Sequence, residues 1–125
     1  MTIKQAIEQV DALKYNTYSM AEKIAWLSQL DWDVKRNILE LYEGSKYHGN
    51  FYGYDQETDP ETQLLVPPPY DQMYLRWLEA QIDYQNGEYE RYNASILLFN
   101  NAFESFERYH KRHHMPVSVG QRFLF

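Results

Sequence analysis

Near the C-terminal end of the chain, Tyr89, Tyr92, Ile96, Phe99, Phe103, Phe106 and His110 follow one another at intervals of 3, 4, 3, 4, 3 and 4. Only one face of an α-helix returns at that interval, and a helix lined this way has to lie against another helix to cover its rings. A second stripe precedes it. Tyr70, Met73, Tyr74, Trp77, Leu78 and Ile82 recur at helical spacing and run into Asn86-Gly87, a C-terminal stop. Two helices joined by so short a glycine turn are expected to pack as an antiparallel hairpin. Met115-Pro116 ends the second of them.

Upstream, Ile3, Ala6, Ile7, Val10 and Leu13 mark a short amphipathic helix with Thr2 as its N-cap, and Lys14–Tyr18 interrupts the pattern as a loop. Ser19 followed by Glu22 is a capping box, in which each side chain satisfies a backbone donor of the other. Met20, Ile24 and Leu27, then Val34, Ile38 and Leu41, continue at helical spacing. The heptad slot between the two sets holds Asp31, so a bend or a new N-cap is expected within Asp31-Trp32-Asp33, with a second short helix running to about Glu43. Residues 44–69 form a long connection. Glycines alternate there with aromatics, an acidic run follows, and Leu64-Leu65-Val66, suited to a short strand, precedes three prolines.

These elements define an all-α protein. It is a small helical bundle built on the C-terminal antiparallel hairpin, with a long central loop and an extended C-terminal tail. With 125 residues there is room for one domain. That domain covers residues 1–114, including the aromatic and acidic loop at 44–69, and the tail covers 115–125.

Composition narrows the chemistry. The absence of cysteine excludes disulfides, thiolate metal sites and cysteine nucleophiles. Eighteen acids against twelve Lys plus Arg give −6, which disfavours general nucleic-acid binding. The first residues contain no apolar signal region, and the longest apolar runs, such as Ile96–Phe99, fall far short of the ~20 residues of a membrane span. A reducing cytoplasm is the expected site of synthesis, and the sequon Asn93-Ala94-Ser95 inside a helix is read as chance. Twelve tyrosines suit surfaces that become half-buried on contact.

No catalytic motif is present: no His-Glu-x-x-His, no phosphate loop, no Gly-x-Ser-x-Gly. His110, His113 and His114 have a spacing that can hold a metal. With Lys111 and Arg112 they read better as a basic helix end answering the macrodipole. Asp55, Glu57, Asp59 and Glu61 alternate as in calcium loops, but Pro60 replaces the required glycine, which leaves a solvated acidic loop. Among Glu79, Asp83, Glu88 and Glu90 nothing isolates a general acid–base pair. The reading is therefore a non-enzyme with no cofactor and no metal.

Two segments are candidates for contact. The tail ends in Phe123-Leu124-Phe125 after an alternation of Val117 and Val119 and the cation Arg122. Each large side chain there favours burial by ~1.5–3 kcal/mol, so the tail either folds back onto its own domain or docks on another chain, and the strand-like alternation of Val117, Val119 and Phe123 favours docking. In the loop, Tyr47, Phe51, Tyr52, Tyr54, Asp55, Glu57, Asp59 and Glu61 are candidates for subunit or lumen contact.

Several stretches together carry a family resemblance: Val66-Pro67-Pro68-Pro69-Tyr70-Asp71, Tyr74, Trp77 to Tyr84, Asn86-Gly87-Glu88, Arg91-Tyr92-Asn93, Phe99-Asn100, Tyr109 to Pro116, and Leu27 to Asp31. The chain resembles small structural proteins of tailed phages and prophages of Gram-positive bacteria, of the head–tail connector (adaptor) type. The likeness spans most of the chain and is weakest over 44–63. It implies an all-helical protomer in a ring, twelvefold in such adaptors, beneath the portal protein. The ring would receive the next head-completion or tail component and let DNA pass without sequence-specific binding. The C-terminal segment would reach along the portal. The implied location is the virion head–tail junction, and the host cytoplasm during assembly, with no membrane involved. The same exposed aromatics would equally suit a phage-encoded regulator or inhibitor that binds one protein partner as monomer or dimer.

Overall fold

The computed structural model describes residues 1–42 and 51–114, and all the regular structure in them is helical. Helix α1 (Ile3–Leu13) opens on Thr2. The Thr2 hydroxyl accepts the Gln5 N–H at 3.1 Å, while the Gln5 side chain accepts the Thr2 N–H at 2.9 Å. Helix α2 (Met20–Val34) opens the same way on Ser19 and Glu22. Both boxes satisfy amides that the first helical turn leaves without partners.

Asp31 neither bends nor caps the chain. Helix α2 continues through it to Val34, then widens into a π-helical turn, Lys35–Leu39, and ends in a single α-turn, α3 (Glu40–Tyr42). The expected break is wrong because the Asp31 carboxylate finds its donors inside the fold and has no need of a helix start. The π-turn also corrects the apolar register. Its i→i+5 bonds wind the chain less per residue, so Val34 and Ile38 stay buried while Leu41 leaves the stripe and is exposed.

The connection after residue 51 is threaded onto the N-terminus of α1. Lys4 N–H donates to the Pro60 carbonyl (2.9 Å), Ile3 N–H to Thr62 (3.1 Å) and Leu64 N–H to Met1 (3.0 Å). The orphan donors of α1 are thereby paired to backbone. Among the described residues no strand forms. The Leu64–Val66 triplet supplies two buried anchors, Leu64 and Val66, next to one isolated antiparallel bridge between Thr2 and Gln63.

A 3₁₀ turn (Tyr70–Gln72) leads into α4 (Met73–Gln85), and Gly87, at φ +74, turns the chain into α5 (Tyr89–His114). Contacts between α4 and α5 run in opposite order. Tyr70 meets Tyr109 at 4.8 Å between ring centroids, Trp77 meets Phe99 at 5.0 Å, and Tyr84 meets Tyr92 at 5.3 Å. Of the aromatic seam, Phe99, Phe106 and His110 are buried, while Tyr92, Ile96 and Phe103 are half-buried and Tyr89 is exposed. The core joins Ile7 and Val10 of α1, Leu27 and Leu30 of α2, Tyr74, Leu78 and Ile82 of α4, and Phe106 of α5.

Candidate functional site

The most constrained polar group is the Asp31 carboxylate, fully buried on the inner face of α2. Tyr74 of α4 donates its hydroxyl to Oδ1 at 2.6 Å, and the same hydroxyl accepts the Val66 N–H at 2.8 Å. Oδ2 accepts the Tyr54 hydroxyl and, at 3.1 Å, the Leu65 N–H. One carboxylate thus ties two points of the 51–66 segment, separated by ten residues of chain, to α2 and α4. Burial raises its pKa and the bonds from Tyr54, Tyr74 and Leu65 lower it, burial prevailing to leave it at about 6. Burial and the facing Asp31 charge hold the Tyr74 phenol well above its ordinary value, so it stays a donor.

This network decides which loop residues face outward. Phe51 is 7% exposed, edge-on to Trp32 and to Tyr54 at about 5 Å between centroids. Tyr54 is half-buried, and its N–H donates to the Ser28 hydroxyl at 2.9 Å. Both therefore meet α2 rather than solvent. Between them the strap crosses α2 so closely that a Cβ on Gly53, at φ +92, would lie 3.1 Å from Ser28 Oγ and Trp32 Nε1. Of the described loop aromatics at 51, 52 and 54, Tyr52 alone turns fully out, 81% exposed.

Beyond the strap, Asp55, Glu57, Asp59 and Glu61 are all exposed. They sit on two tight turns in which Asp55 Oδ1 accepts the Glu57 N–H and Asp59 Oδ1 the Glu61 N–H. Glu61 lies 3.8 Å from Lys4. Tyr47 and the tail candidates Val117, Val119, Arg122, Phe123, Leu124 and Phe125 lie outside the described residues. The structure thus brings Phe51, Tyr54 and Asp31 together inside, and leaves Tyr52 and the acidic turns outside.

Of the other carboxylates and histidines singled out from the sequence, Asp83, Glu79, Glu88, His110 and His113 have partners in the fold. Asp83, buried, takes Lys14 on one oxygen and the Ser95 hydroxyl on the other at 2.7 Å, linking α1, α4 and α5. Glu79 pairs with Arg76 and Glu88 with Arg91. His110 packs on Phe106, and the His113 ring lies over Tyr109 at 4.3 Å. Among the described residues no group of three or more His, Asp or Glu is placed to hold a metal ion, and no helix is long and apolar enough to cross a membrane.

Sequence reasoning missed Asp31 as the centre of this network. The signal is an acid in the apolar slot between Leu27 and Val34, which from sequence alone points to a bend or a new N-cap. No family model, no curated protein and no solved structure matches the chain.

Proposed function

We propose that this protein is a head–tail connector (adaptor) subunit of a tailed phage or prophage. It assembles as a ring on the portal protein and links it to the next head-completion or tail component. The antiparallel pair α4 and α5 is the rigid unit of each protomer, and the segment after His114 is the portal-facing tail. The protein is not an enzyme and works without cofactor, as one section of a conduit through which DNA passes. During assembly it resides in the host cytoplasm, and afterwards at the head–tail junction.

One observation carries this reading beside the sequence resemblance. A frame pinned by buried polar bonds keeps large apolar side chains at its surface: Tyr15 is 88% exposed, Tyr52 81%, Leu13 66%, Tyr89 61% and Leu97 60%. Rigid rings with polar tips lose little conformational freedom on contact and are among the side chains that dominate protein interfaces. The exposed acids on the strap suit a conduit wall, since negative charge there repels passing DNA.

The test is co-expression with a cognate phage portal protein, followed by size-exclusion chromatography and electron microscopy. The expected result is a ring of this chain on the portal. Deleting Phe123–Phe125 is expected to leave the melting temperature of the free protein unchanged and to abolish that complex. A portal that elutes without this chain overturns the proposal. So does a truncated chain that still binds fully, as far as the tail is concerned.

A further inference from the structure

Six of the described cations pair with acids. Lys4, Lys14, Lys23, Arg76, Arg91 and Arg108 each have a carboxylate within ion-pair distance. Lys35 and Arg36, on the π-turn, have none among the described residues, although the chain carries −6 overall. They gather instead on one indole. Lys35 Nζ lies 4.9 Å from the Trp32 ring centroid and the Arg36 guanidinium 5.1 Å from it. Lys35 also lies 5.9 Å from the exposed Tyr52 ring and donates to the Phe51 carbonyl at 3.3 Å.

A ring face attracts a cation but does not neutralise it, so both groups keep charge and N–H donors for an anion. The guanidinium in particular matches a planar carboxylate with two parallel donors. Trp, Tyr and Arg together are the side-chain types that anchor interfaces. The strap fixes their positions in advance: it passes over Trp32 at Gly53 with little room for a Cβ, and Lys35 is tied to Phe51, which limits the ordering cost of binding.

We infer that the Trp32–Lys35–Arg36–Tyr52 surface binds the acidic turns of a second copy of this chain, through Glu57 and Glu61 with Asp55 and Asp59 beside them. Charge complementarity selects this occupant. The four acids are exposed, and within one chain none of them comes within ion-pair distance of Lys35 or Arg36. Two complementary surfaces that do not meet within one protomer pair between protomers, Glu61 exchanging its exposed 3.8 Å contact with Lys4 for the new one. The contact joins different patches, so it repeats from copy to copy and closes into a ring when the rotation allows. For the ring, the inference rests on the connector reading and names which surfaces its neighbours share. Association itself is a property of this chain alone.

The experiment is sedimentation velocity on the full chain from micromolar to about millimolar, at low and at moderate salt. Two charge-reversed variants accompany it, Lys35→Glu/Arg36→Glu and Glu57→Lys/Glu61→Lys. In the second pair neither carboxylate holds a loop amide, and near-ultraviolet dichroism verifies folding of both variants. Wild type is expected to self-associate and to weaken about tenfold when salt screens the contact. Each variant alone is expected to sediment as one protomer, and their equimolar mixture to associate again.

A wild type that stays monomeric throughout overturns the inference. Salt-insensitive association, variants that associate like wild type, or a mixture that fails to recover also overturn it. Retention of a single-stranded oligonucleotide by a chain that does not self-associate would assign the cations to phosphate and have the same effect. Failure to bind the portal with self-association intact removes the connector function and leaves this contact standing.

Discussion

Replacing Asp31 by Asn tests the centre of the fold and has a computable signature in pH. The carboxyl titrates near 3.8 in an unfolded chain and at about 6 in the native state. Between those values the native state binds more protons than the unfolded one, so stability falls as pH rises. The Asp31 contribution is fully present below the lower value and is lost through the upper one. A difference of about two pKa units corresponds to ~3 kcal/mol, of which ~2 kcal/mol falls between about pH 4.5 and 7.5. The Asp31→Asn variant would carry no such titration.

Asn keeps one carbonyl oxygen but turns an NH₂ toward a site furnished with donors. One of Tyr54 O–H, Tyr74 O–H or Leu65 N–H is left without an acceptor, at ~1–3 kcal/mol. The variant should therefore be less stable than wild type at about pH 4.5, and its deficit should shrink by ~2 kcal/mol by about pH 7.5. Urea denaturation of both proteins across that range, with the difference taken at each pH, isolates Asp31 from every other titrating group. A difference flat to within ~0.5 kcal/mol, or one growing toward neutral pH, would refute the claim that burial outweighs the three donors.

Gly53→Ala places a Cβ against Ser28 and Trp32 on a left-handed backbone and should cost ~2 kcal/mol or more. Gly87→Ala has the same backbone sign but open space, and should cost only ~1 kcal/mol, so equal midpoint shifts in urea would contradict the close crossing. Phe106→Ala should lose ~3–5 kcal/mol and the half-buried Phe103→Ala clearly less, both read from thermal melts with calorimetric enthalpies. Leu97→Ser should leave the melting temperature within a degree or two of wild type, because Leu97 faces solvent. A large drop would place that side chain inside a contact.

What the sequence made legible is what obeys local rules. The Thr2 N-cap and the Ser19–Glu22 box are written in local spacing and appear as expected, while Gln5, one helical turn after Thr2, completes a second box that the sequence reading does not name. The stripe Met73, Tyr74, Leu78, Ile82 is buried as its period requires, and Gly87 turns with the positive φ that its position called for. The π-turn at Lys35–Leu39 was not legible, because one extra residue per turn leaves no mark in composition and shows only in which side chain drops out of the stripe, here Leu41. Nor was the direction of the strap. Phe51, Tyr52 and Tyr54 are alike as residue types, and only the long-range bonds to Ser28 and Asp31 sort inner from outer.

That sorting ties the candidate surface to the polar interior. A strap without regular structure would sample many arrangements, and ordering each residue costs ~1–2 kcal/mol of backbone entropy. Apolar burial at Phe51, Leu64 and Val66 favours collapse but does not specify which face turns out, because hydrophobic attraction has no direction. Direction comes from hydrogen bonds, and those nearest Tyr52 run from Lys35 to the Phe51 carbonyl and from Tyr54 to Ser28 and Asp31. Loss of the Asp31 carboxylate should therefore blur the position of Tyr52 and the acidic turns before it melts the helices. In hydrogen exchange on Asp31→Asn, the Tyr54 and Leu65 amides should lose protection while those of α4 keep theirs. Equal loss in both would mean that strap and helices open as one unit, and the surface could then not be separated from the fold that carries it.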